Sequence, residues 1–380
     1  NAENKLQKKI KEIGKMFDTI KLIGEKFRLS GELYSYSVIT VGNINSTYKV
    51  TYAVGDNKYK AYLFQRINTH VFKNPVQIMK NIDEVTSYIR KKYPGQLTLH
   101  FHHTAEGNNY FVSDEDSFWR VMNYVDSLTL DNTDDLAVIE ATGKAFGNFQ
   151  AQLADFDGSV LYETIPDFHN TRKRLNTLFE HVEKDPCNRV HEVPDEIAYL
   201  SFVSDKAAEL SELFANGEIP RRVTHNDTKA NNVLFDKVTK EPLVVIDLDT
   251  IMPGMSMYDF GDAVRFIANT SAEDEPDTSK VFFDTGKFRA FAKGFIRETK
   301  DLLTEVELKN LVKASFSITV EQASRFLDDY LTGDHYFRYE YPKHNLVRAR
   351  CQLQLAKDIE KKWSELEWII QDVIDQLGNN

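Results

Sequence analysis

A polar loop enclosed by two apolar segments constrains this chain more than any other feature. Residues 225–232 read His-Asn-Asp-Thr-Lys-Ala-Asn-Asn, with short apolar runs before the loop at 222–224 and after it at 233–235. A further apolar run ends in Asp247. Asp- and Asn-rich segments often form simple turns, but polar groups held between strands lie on a scaffolded loop, where catalytic side chains concentrate. The pattern predicts a strand–loop–strand motif with a functional loop.

The spacing of the acidic and amide side chains favours one kind of chemistry. Asp227 and Asn232 are five positions apart, as in the pattern H-x-D-x-x-x-x-N, and Asp247 follows Asp227 by 20 residues. Phosphoryl transfer from ATP uses one carboxylate to accept the hydroxyl proton, and an amide oxygen with a second carboxylate to hold magnesium. We therefore predict Asp227 as the catalytic base, with Asn232 and Asp247 as Mg²⁺ ligands. Asp249 is either a further ligand or a structural acceptor.

Three residues near this motif need their own interpretation. Lys229 stands two residues after Asp227; it either neutralises charge on the γ-phosphate or is a solvated surface lysine. His225 is predicted to brace the loop by hydrogen bonds rather than to transfer protons. Residues 259–261 spell D-F-G, the metal motif of protein kinases, but Asp247 already fills that place. Asp259 is therefore interpreted as a helix-start cap or a loop brace.

Length and composition limit the class of protein. At 380 residues the chain exceeds the size at which single cores stop growing, so two domains or lobes are expected. The net charge of −11 argues against nucleic acid or an anionic membrane as a partner. No apolar run approaches the ~20 residues that span a bilayer. Cys187 and Cys351 form no metal-like cluster, which favours reduced thiols and a cytoplasmic location.

The order of segments predicts an α+β fold with two lobes, a small β-rich N-terminal lobe at 1–125 and a larger, mainly helical C-terminal lobe at 126–380. Aromatic and β-branched runs indicate strands, and apolar residues at helical spacing indicate helices. The first lobe has predicted strands at 34–40, 47–52, 60–64, 97–103, 109–112 and 118–125, and a helix at 75–92. The second has predicted helices at 137–153, 196–215, 304–331 and 347–377.

This layout and the loop motif resemble the aminoglycoside phosphotransferase and choline kinase branch of the protein-kinase-like fold. Within that branch, several segments look closest to the N-acetylhexosamine 1-kinases. They are residues 42–48, 64–69, 71–75, 225–235, 245–250, 325–336 and 345–350. The resemblance covers essentially the whole chain. It implies an ATP- and Mg²⁺-dependent kinase acting on the anomeric hydroxyl of an N-acetylhexosamine (GlcNAc or GalNAc).

The resemblance also implies nucleotide contacts in the first lobe. Asn45, Ser46 and Thr47 could donate to phosphate or sugar oxygens and are assigned to ATP, from a segment with one glycine rather than several. The third strand has no lysine at its expected place, and side-chain alternation lets only one of Gln65 and Arg66 face the phosphates. Arg66 is favoured because phosphates need positive charge.

For the acceptor, the resemblance implies contacts from Asn43, Arg325 and Tyr336, together with Asp227. An arginine can donate to hydroxyls or to an acetamido carbonyl, and a tyrosine offers a ring face and a hydroxyl. Arg325 has an alternative role, an ion pair with Asp328 or Asp329 on its own helix. The sequence leaves both roles open.

Two other functions also stay open at this point. One is phosphorylation of an aminoglycoside, choline or a homoserine-type alcohol. The other is a nucleotide-binding pseudokinase that serves as an interaction module, although the presence of Asp227, Asn232 and Asp247 argues against it. The predicted ligands are ATP, Mg²⁺ and a small-molecule sugar, and no protein partner is evident.

Overall fold

The computed structural model describes residues 2–40, 44–113, 117–130 and 133–378, with side chains from residue 14 onward. The chain divides into two compact units, Asn1–Asp126 and Ser127–Asn380. Among the described residues, the first unit holds one antiparallel sheet and two helices, and the second is mainly helical. The predicted α+β class is confirmed.

Five antiparallel strands form the sheet of the first unit, in the order β1–β2–β3–β5–β4. Aromatic and β-branched residues alternate along them, so one face of the sheet is strongly apolar. The strands are β1 (Glu32–Ile39), β2 (Ser46–Gly55), β3 (Lys58–Arg66), β4 (Phe111–Val112) and β5 (Phe118–Asn123).

Helix α1 (Ala2–Lys26) covers this apolar face. Its residues Ile20 and Ile23, with Phe27 just beyond it, form a buried cluster with strand side chains. Gly24 permits the close approach, because a Cβ at this position would lie 1.8 Å from the hydroxyl of Tyr52. The strand side chains of the cluster are Tyr48, Val50, Tyr52, Tyr62, Phe64, Trp119 and Val121.

Helix α2 (Pro75–Lys92) lies on the opposite face of the sheet. The predicted helix at 75–92 is confirmed, with proline in its first turn. Arg120 of β5 alternates with the α1-facing Trp119 and Val121, and its Nη1 points at the sulfur of Met79 in α2 at 3.8 Å. Helices therefore cover both faces of the sheet.

The predicted strand at 97–103 is wrong. This segment makes only an isolated bridge between Phe101 and Met122, supported by the N–H of His102 donating to the carbonyl of Val121 at 2.8 Å. Strand β5 has one edge paired to β3, and β4 already occupies the first part of the other edge. Too little free edge remains for a further full strand.

Nine α-helices and two short strand pairs are the main elements of the described part of the second unit. Helices α3 and α7 pack closely, because a Cβ at Gly294 would lie 1.9 Å from the carbonyl oxygen of Glu140. The helices are α3 (Leu136–Gln152), α4 (Thr171–Lys184), α5 (Pro194–Ala215), α6 (Ser256–Ile267), α7 (Thr285–Thr299), α8 (Glu305–Lys309), α9 (Leu311–Thr332), α10 (His344–Lys361) and α11 (Trp363–Gly378). The strands are β6 (Arg222–Thr224), β7 (Val233–Phe235), β8 (Pro242–Val245) and β9 (Met252–Gly254).

Two long predicted helices are each divided in two. The helix predicted at 304–331 breaks at Asn310, between α8 and α9, and the one at 347–377 breaks at Lys362, between α10 and α11. Asn310 leaves helical geometry with φ −102° and ψ 10°, and its side-chain amide donates to the carbonyl of Val306 at 2.8 Å. An asparagine bonded to its own backbone competes with helix continuation.

Candidate active site

Two antiparallel strand pairs frame the loop at 225–232. Strand β6 enters the loop and pairs with β9, and β7 leaves it and pairs with β8. The N–H of Ile246 donates to the carbonyl of Asn232 at 2.8 Å. The segments that carry Asn232 and Asp247 therefore lie side by side, and the predicted strand–loop–strand motif is confirmed.

Asp259 holds the start of the loop from helix α6. Its carboxylate accepts the N–H groups of His225 and Asn226, both at 2.8 Å, and its carbonyl accepts the hydroxyl of Thr228 at 2.6 Å. The side-chain amide of Gln150 donates to the same carboxylate at 2.9 Å. The interpretation of Asp259 as a loop brace is confirmed. The alternative as a helix-start cap is wrong, because Met255 occupies the cap position of α6.

His225 is fully buried, and its ring makes T-shaped contacts with the rings of Phe146 and Phe149. Its Nε2 lies 2.8 Å from the carbonyl of Ile246, and its Nδ1 accepts the N–H of Asp227 at 3.2 Å. A carbonyl can only accept, so Nε2 carries the hydrogen and the ring is the neutral Nε2–H tautomer. The predicted bracing role of His225 is confirmed.

Asp227, Lys229 and Asn232 converge within this loop. The ammonium of Lys229 lies 3.0 Å from Oδ1 of Asp227, and the amide nitrogen of Asn232 donates to the carbonyl of Asp227 at 2.8 Å. The Asp227 carboxylate raises the pKa of Lys229, so the ammonium stays charged at neutral pH. The side chains of Asp227 and Lys229 are 27% and 41% exposed, so both remain accessible to a ligand.

The chemistry of the neighbouring donors suits a hard cation. The Asn232 amide nitrogen is engaged by Asp227, which leaves the amide oxygen as the group that can ligate. Asp247 follows β8 in the left-handed conformation, with φ 60°, and Asp249 is buried. Magnesium takes one or two carboxylates and completes its shell with phosphate oxygens and water. In the described part of the chain, no group of three or more His, Cys, Asp and Glu side chains forms a metal site.

A buried ion pair that sequence reasoning missed adjoins the loop. Nδ1 of His169 lies 2.9 Å from the carboxylate of Glu321, and Nε2 lies 3.2 Å from the carbonyl of Asn226. Both ring nitrogens face acceptors, so both carry hydrogens and the ring is a cation. Burial alone would lower the pKa of His169, but the Glu321 carboxylate outweighs burial and the pKa is raised. The interacting residues are more than 150 positions apart, which leaves no short-range signal.

Arg325 and Tyr336, which were predicted to act together, do lie together. The Arg325 guanidinium is 5.8 Å from the ring centre of Tyr336 and 5.5 Å from those of Phe168 and Phe337. Its hydrogen-bond partner is Gln322, at 3.1 Å. Phe168 joins this aromatic cluster to His169, and thereby to the loop.

The alternative ion pair of Arg325 with Asp328 or Asp329 is wrong. Asp328 lies 2.6 Å from Nδ1 of His181. Asp329 accepts the backbone N–H groups of residues 335–337 at 2.8 to 2.9 Å, and its carboxylate also accepts the amide of Asn345. Both carboxylates are thus engaged elsewhere, and Asp329 fixes the segment that carries Tyr336.

In the first unit, the predicted nucleotide residue Thr47 contacts Gln65, the alternative to Arg66. Thr47 accepts the amide of Gln65 at 3.1 Å, and the oxygen of Gln65 accepts Nε of the buried Arg120 at 2.9 Å. Arg66 is exposed and lies on the other side of β3 from Gln65. Sequence reasoning missed Arg120, because β5 adjoins β3 only through the fold.

The other predicted ligand-binding residues of this lobe are Asn45, Ser46 and Asn43. Asn45 accepts the N–H of Asn68 at 3.0 Å. Ser46 begins β2 opposite Arg66. Asn43 lies outside the described residues. Phosphate contacts by Asn45, Ser46, Thr47 and Arg66 stay predictions.

The fold and the loop define a kinase-like phosphotransferase class, and solved structures share this fold. A microcompartment-associated aminopropanol kinase has a TM-score of 0.61 and 15% identity, over 92% of this chain and 98% of its own. A spectinomycin phosphotransferase in complex with ADP and spectinomycin has a TM-score of 0.56 and 12% identity, over 92% and 98%. A choline kinase from Cryptosporidium parvum has a TM-score of 0.55 and 13% identity, over 95% and 99%.

The sequence itself gives the family. Residues 35–291, more than half of the chain, match the model of the phosphotransferase enzyme family. The chain belongs to this family. The matched span contains the whole loop and Asp247, but ends before Arg325 and Tyr336. Among the described helices, none has the length and apolar character needed to cross a membrane.

Proposed function

We propose that this protein transfers the γ-phosphoryl group of ATP to the anomeric hydroxyl of an N-acetylhexosamine. The observation that carries the proposal is the braced loop, in which Asp227 contacts Lys229 and Asn232 while Asp259 fixes the backbone just before it. Asp227 accepts the proton of the attacking hydroxyl. Lys229 supplies positive charge next to that carboxylate, where negative charge on the transferring group needs stabilisation.

We also propose that Asn232 and Asp247 bind Mg²⁺, with Asp249 as a candidate third ligand. When bound, the ion neutralises charge on the phosphate oxygens. The hairpin of β7 and β8, with the hydrogen bond from Ile246 to Asn232, brings the backbone of these two ligand candidates close together. In the first unit, we assign the nucleotide phosphates to Asn45, Ser46, Thr47 and Arg66.

The assignment of the acceptor rests on the resemblance to hexosamine 1-kinases and on the cluster at Arg325. A cationic acceptor such as choline or an aminoglycoside needs open aromatic faces or free carboxylates. Here the guanidinium of Arg325 already lies within 6 Å of three ring centres. A second cation would meet repulsion at this cluster, whereas sugar hydroxyls and an acetamido carbonyl can accept hydrogen bonds from Arg325. We assign Asn43 and Tyr336 to the same acceptor.

An ADP-release assay with GlcNAc, GalNAc, choline, kanamycin and homoserine tests the acceptor. We expect turnover with the hexosamines and formation of a sugar 1-phosphate, identified by ³¹P NMR. Turnover with choline or kanamycin and with neither hexosamine would contradict the proposed sugar acceptor and favour those compounds instead. Turnover with none of them, together with no Mg²⁺-dependent stabilisation by ATP in a melting assay, would support a pseudokinase instead.

The role of Asp227 has its own test. Asp227→Asn removes the proton acceptor at constant size, so we expect kcat to fall by about 10²- to 10⁴-fold. Asp236→Asn is the matched control, because Asp236 accepts two backbone N–H groups in a turn after β7, a role that asparagine also fills. Full activity of Asp227→Asn would contradict the mechanism.

A further inference from the structure

Two arginines meet at Phe168, beside the loop. Nη2 of Arg174 in α4 donates to the carbonyl of Phe168 at 3.2 Å, while the guanidinium of Arg325 in α9 faces the Phe168 ring. The next residue, His169, is the cation that contacts the carbonyl of Asn226, directly before Asp227. Guanidinium groups from two helices therefore meet at Phe168, directly before the residue that contacts the loop.

Neither arginine has a carboxylate of its own. Within the part of the chain that the structure describes, neither guanidinium comes within 4 Å of an Asp or Glu oxygen. Glu321, the acidic residue one turn before Arg325, uses one oxygen for His169 and the other for the hydroxyl of Thr171. Its charge is thus already compensated.

The two acidic residues next to these positions are also engaged. Asp167 is paired with Lys173 and accepts the amide of Asn170. Asp328 is paired with His181. Both carboxylates therefore have partners other than Arg174 and Arg325.

Arg174 carries a buried donor that nothing in the described residues satisfies. Its Nε has less than 1 Å² of accessible surface and no hydrogen-bond acceptor among the described side chains and backbone. Burial, together with the nearby Arg325, lowers the pKa of Arg174. A buried charged donor without an acceptor is costly. An anionic oxygen that reached the Arg174 guanidinium would remove this cost, and Arg325 would add a second positive charge.

We infer that Arg174 and Arg325 form a subsite for an anionic oxygen group, a carboxylate or a sulfate, carried by the acceptor. The inference rests on the proposed function and narrows its substrate class to acidic derivatives of N-acetylhexosamines. Guanidinium groups bind such oxygens through paired hydrogen bonds. Phe168, Tyr336 and Phe337 hold Arg325 in place by their rings. Arg174 acts on binding and specificity, since the proton of the reacting hydroxyl goes to Asp227.

Matched acceptors test the inference. The set is GlcNAc, N-acetylmuramic acid with its carboxylate, GlcNAc 6-sulfate, and glucosamine as the cationic member. We expect kcat/KM for at least one anionic sugar to exceed that for GlcNAc by tenfold or more, mainly through KM. A carboxylate or sulfate preference identifies which anion the subsite takes. Equal or lower kcat/KM for both anionic sugars would overturn the inference and leave the sugar kinase proposal intact.

Variants of Arg174 separate charge from folding. We expect Arg174→Gln to reduce the anionic-to-neutral ratio of kcat/KM by at least tenfold, and Arg174→Lys to restore part of it. Arg172→Gln is the control on the same helix, because Arg172 pairs with Glu212 and Asp205 at the surface. It should leave the ratio unchanged. An unchanged ratio in Arg174→Gln would also overturn the inference.

If no sugar is phosphorylated, the proposed function is wrong, but a binding measurement still tests the anionic subsite. N-acetylmuramic acid at a fixed concentration should raise the melting temperature of the wild type more than GlcNAc does. Arg174→Gln should lose that difference, while Arg172→Gln should keep it. If neither N-acetylmuramic acid nor GlcNAc 6-sulfate raised the melting temperature of the wild type more than GlcNAc does, the anionic subsite would be refuted independently of catalysis.

Discussion

The brace from Asp259 to the loop at 225–232 gives the sharpest test of how this candidate site is held. Asp259 is 2% exposed, and its carboxylate accepts three hydrogen bonds, from the N–H groups of His225 and Asn226 and from the amide of Gln150. Asp259→Asn keeps the size and shape of the side chain. It replaces one acceptor oxygen by an NH₂ donor, which would face another donor.

The expected loss follows from these contacts. One hydrogen bond to a charged acceptor contributes about 1.5–3 kcal/mol, and leaving its buried donor unpaired costs about 1–3 kcal/mol more. Burial raises the pKa of Asp259, which means that the ionised carboxylate is itself poorly solvated, and a neutral amide recovers part of that penalty. We therefore expect the free energy of unfolding to fall by about 2–4 kcal/mol.

The same change should reduce catalysis, because the braced N–H groups belong to the two residues directly before Asp227. A displacement of the base by about 1 Å lowers the rate by roughly 10²-fold. We expect a decrease in kcat of that order at temperatures where the variant is still folded.

Urea unfolding followed by circular dichroism, with ADP-release kinetics on the same samples, measures both effects. Asp135→Asn is the control: Asp135 caps α3 at the surface by accepting the N–H of Ala137, and asparagine caps as well as aspartate. Its stability should stay within about 0.5 kcal/mol of the wild type. If Asp259→Asn stayed within the same limit and kept its kcat, Asp259 would not brace the loop.

Three further predictions concern charge at the site. Lys229→Met should lower kcat by about 10²- to 10³-fold and leave the melting temperature nearly unchanged, whereas wild-type activity would return Lys229 to the role of a surface lysine. Chelation by EDTA should abolish phosphoryl transfer, and excess Mg²⁺ should restore it; activity that persists in EDTA would exclude Asn232 and Asp247 as ligands of an essential cation. The pKa of His169 is raised in the folded protein, so its contribution to stability is complete below the unfolded pKa of 6.5 and is lost as the pH rises through the folded pKa. The pKa of Glu321 is lowered, so its contribution is complete above the unfolded pKa of 4.5 and is lost as the pH falls. Wild-type stability relative to His169→Gln should therefore be greatest between about pH 4.5 and 6.5 and decline at higher pH; a difference that is constant with pH would contradict the ion pair.

The parts of the fold that sequence predicted correctly depend on short-range patterns. Helix α2 begins and ends where proline and the apolar spacing of residues 75–92 indicate. The loop at 225–232 follows from residues that are themselves contiguous. The segment at 97–103 fails because strand formation depends on a free partner edge, and β4 had taken part of it. Whether the edge of β5 is free depends on β4 and β5, which follow this segment in the chain.

The parts of the site that sequence missed share a different property, long separation between partners. His169 depends on Glu321, and Gln65 depends on Arg120, across 152 and 55 positions. Neither pair has a motif, because one requires only that a turn and a helix become neighbours, and the other that two strands do. A lone histidine and a lone arginine in sequence carry no sign that burial will make them part of the site.

Arg325 shows why local spacing is a necessary but insufficient condition for an ion pair. Its acidic neighbours three and four positions later have the right separation on α9, yet His181 takes one, and the backbone of residues 335–337 takes the other. The Asp329 carboxylate, which does not pair with Arg325, holds the segment that carries Tyr336. Engagement of Asp329 by the backbone therefore has two effects. It takes this carboxylate away from Arg325, and it holds the segment in which the Tyr336 ring centre lies 5.8 Å from the Arg325 guanidinium.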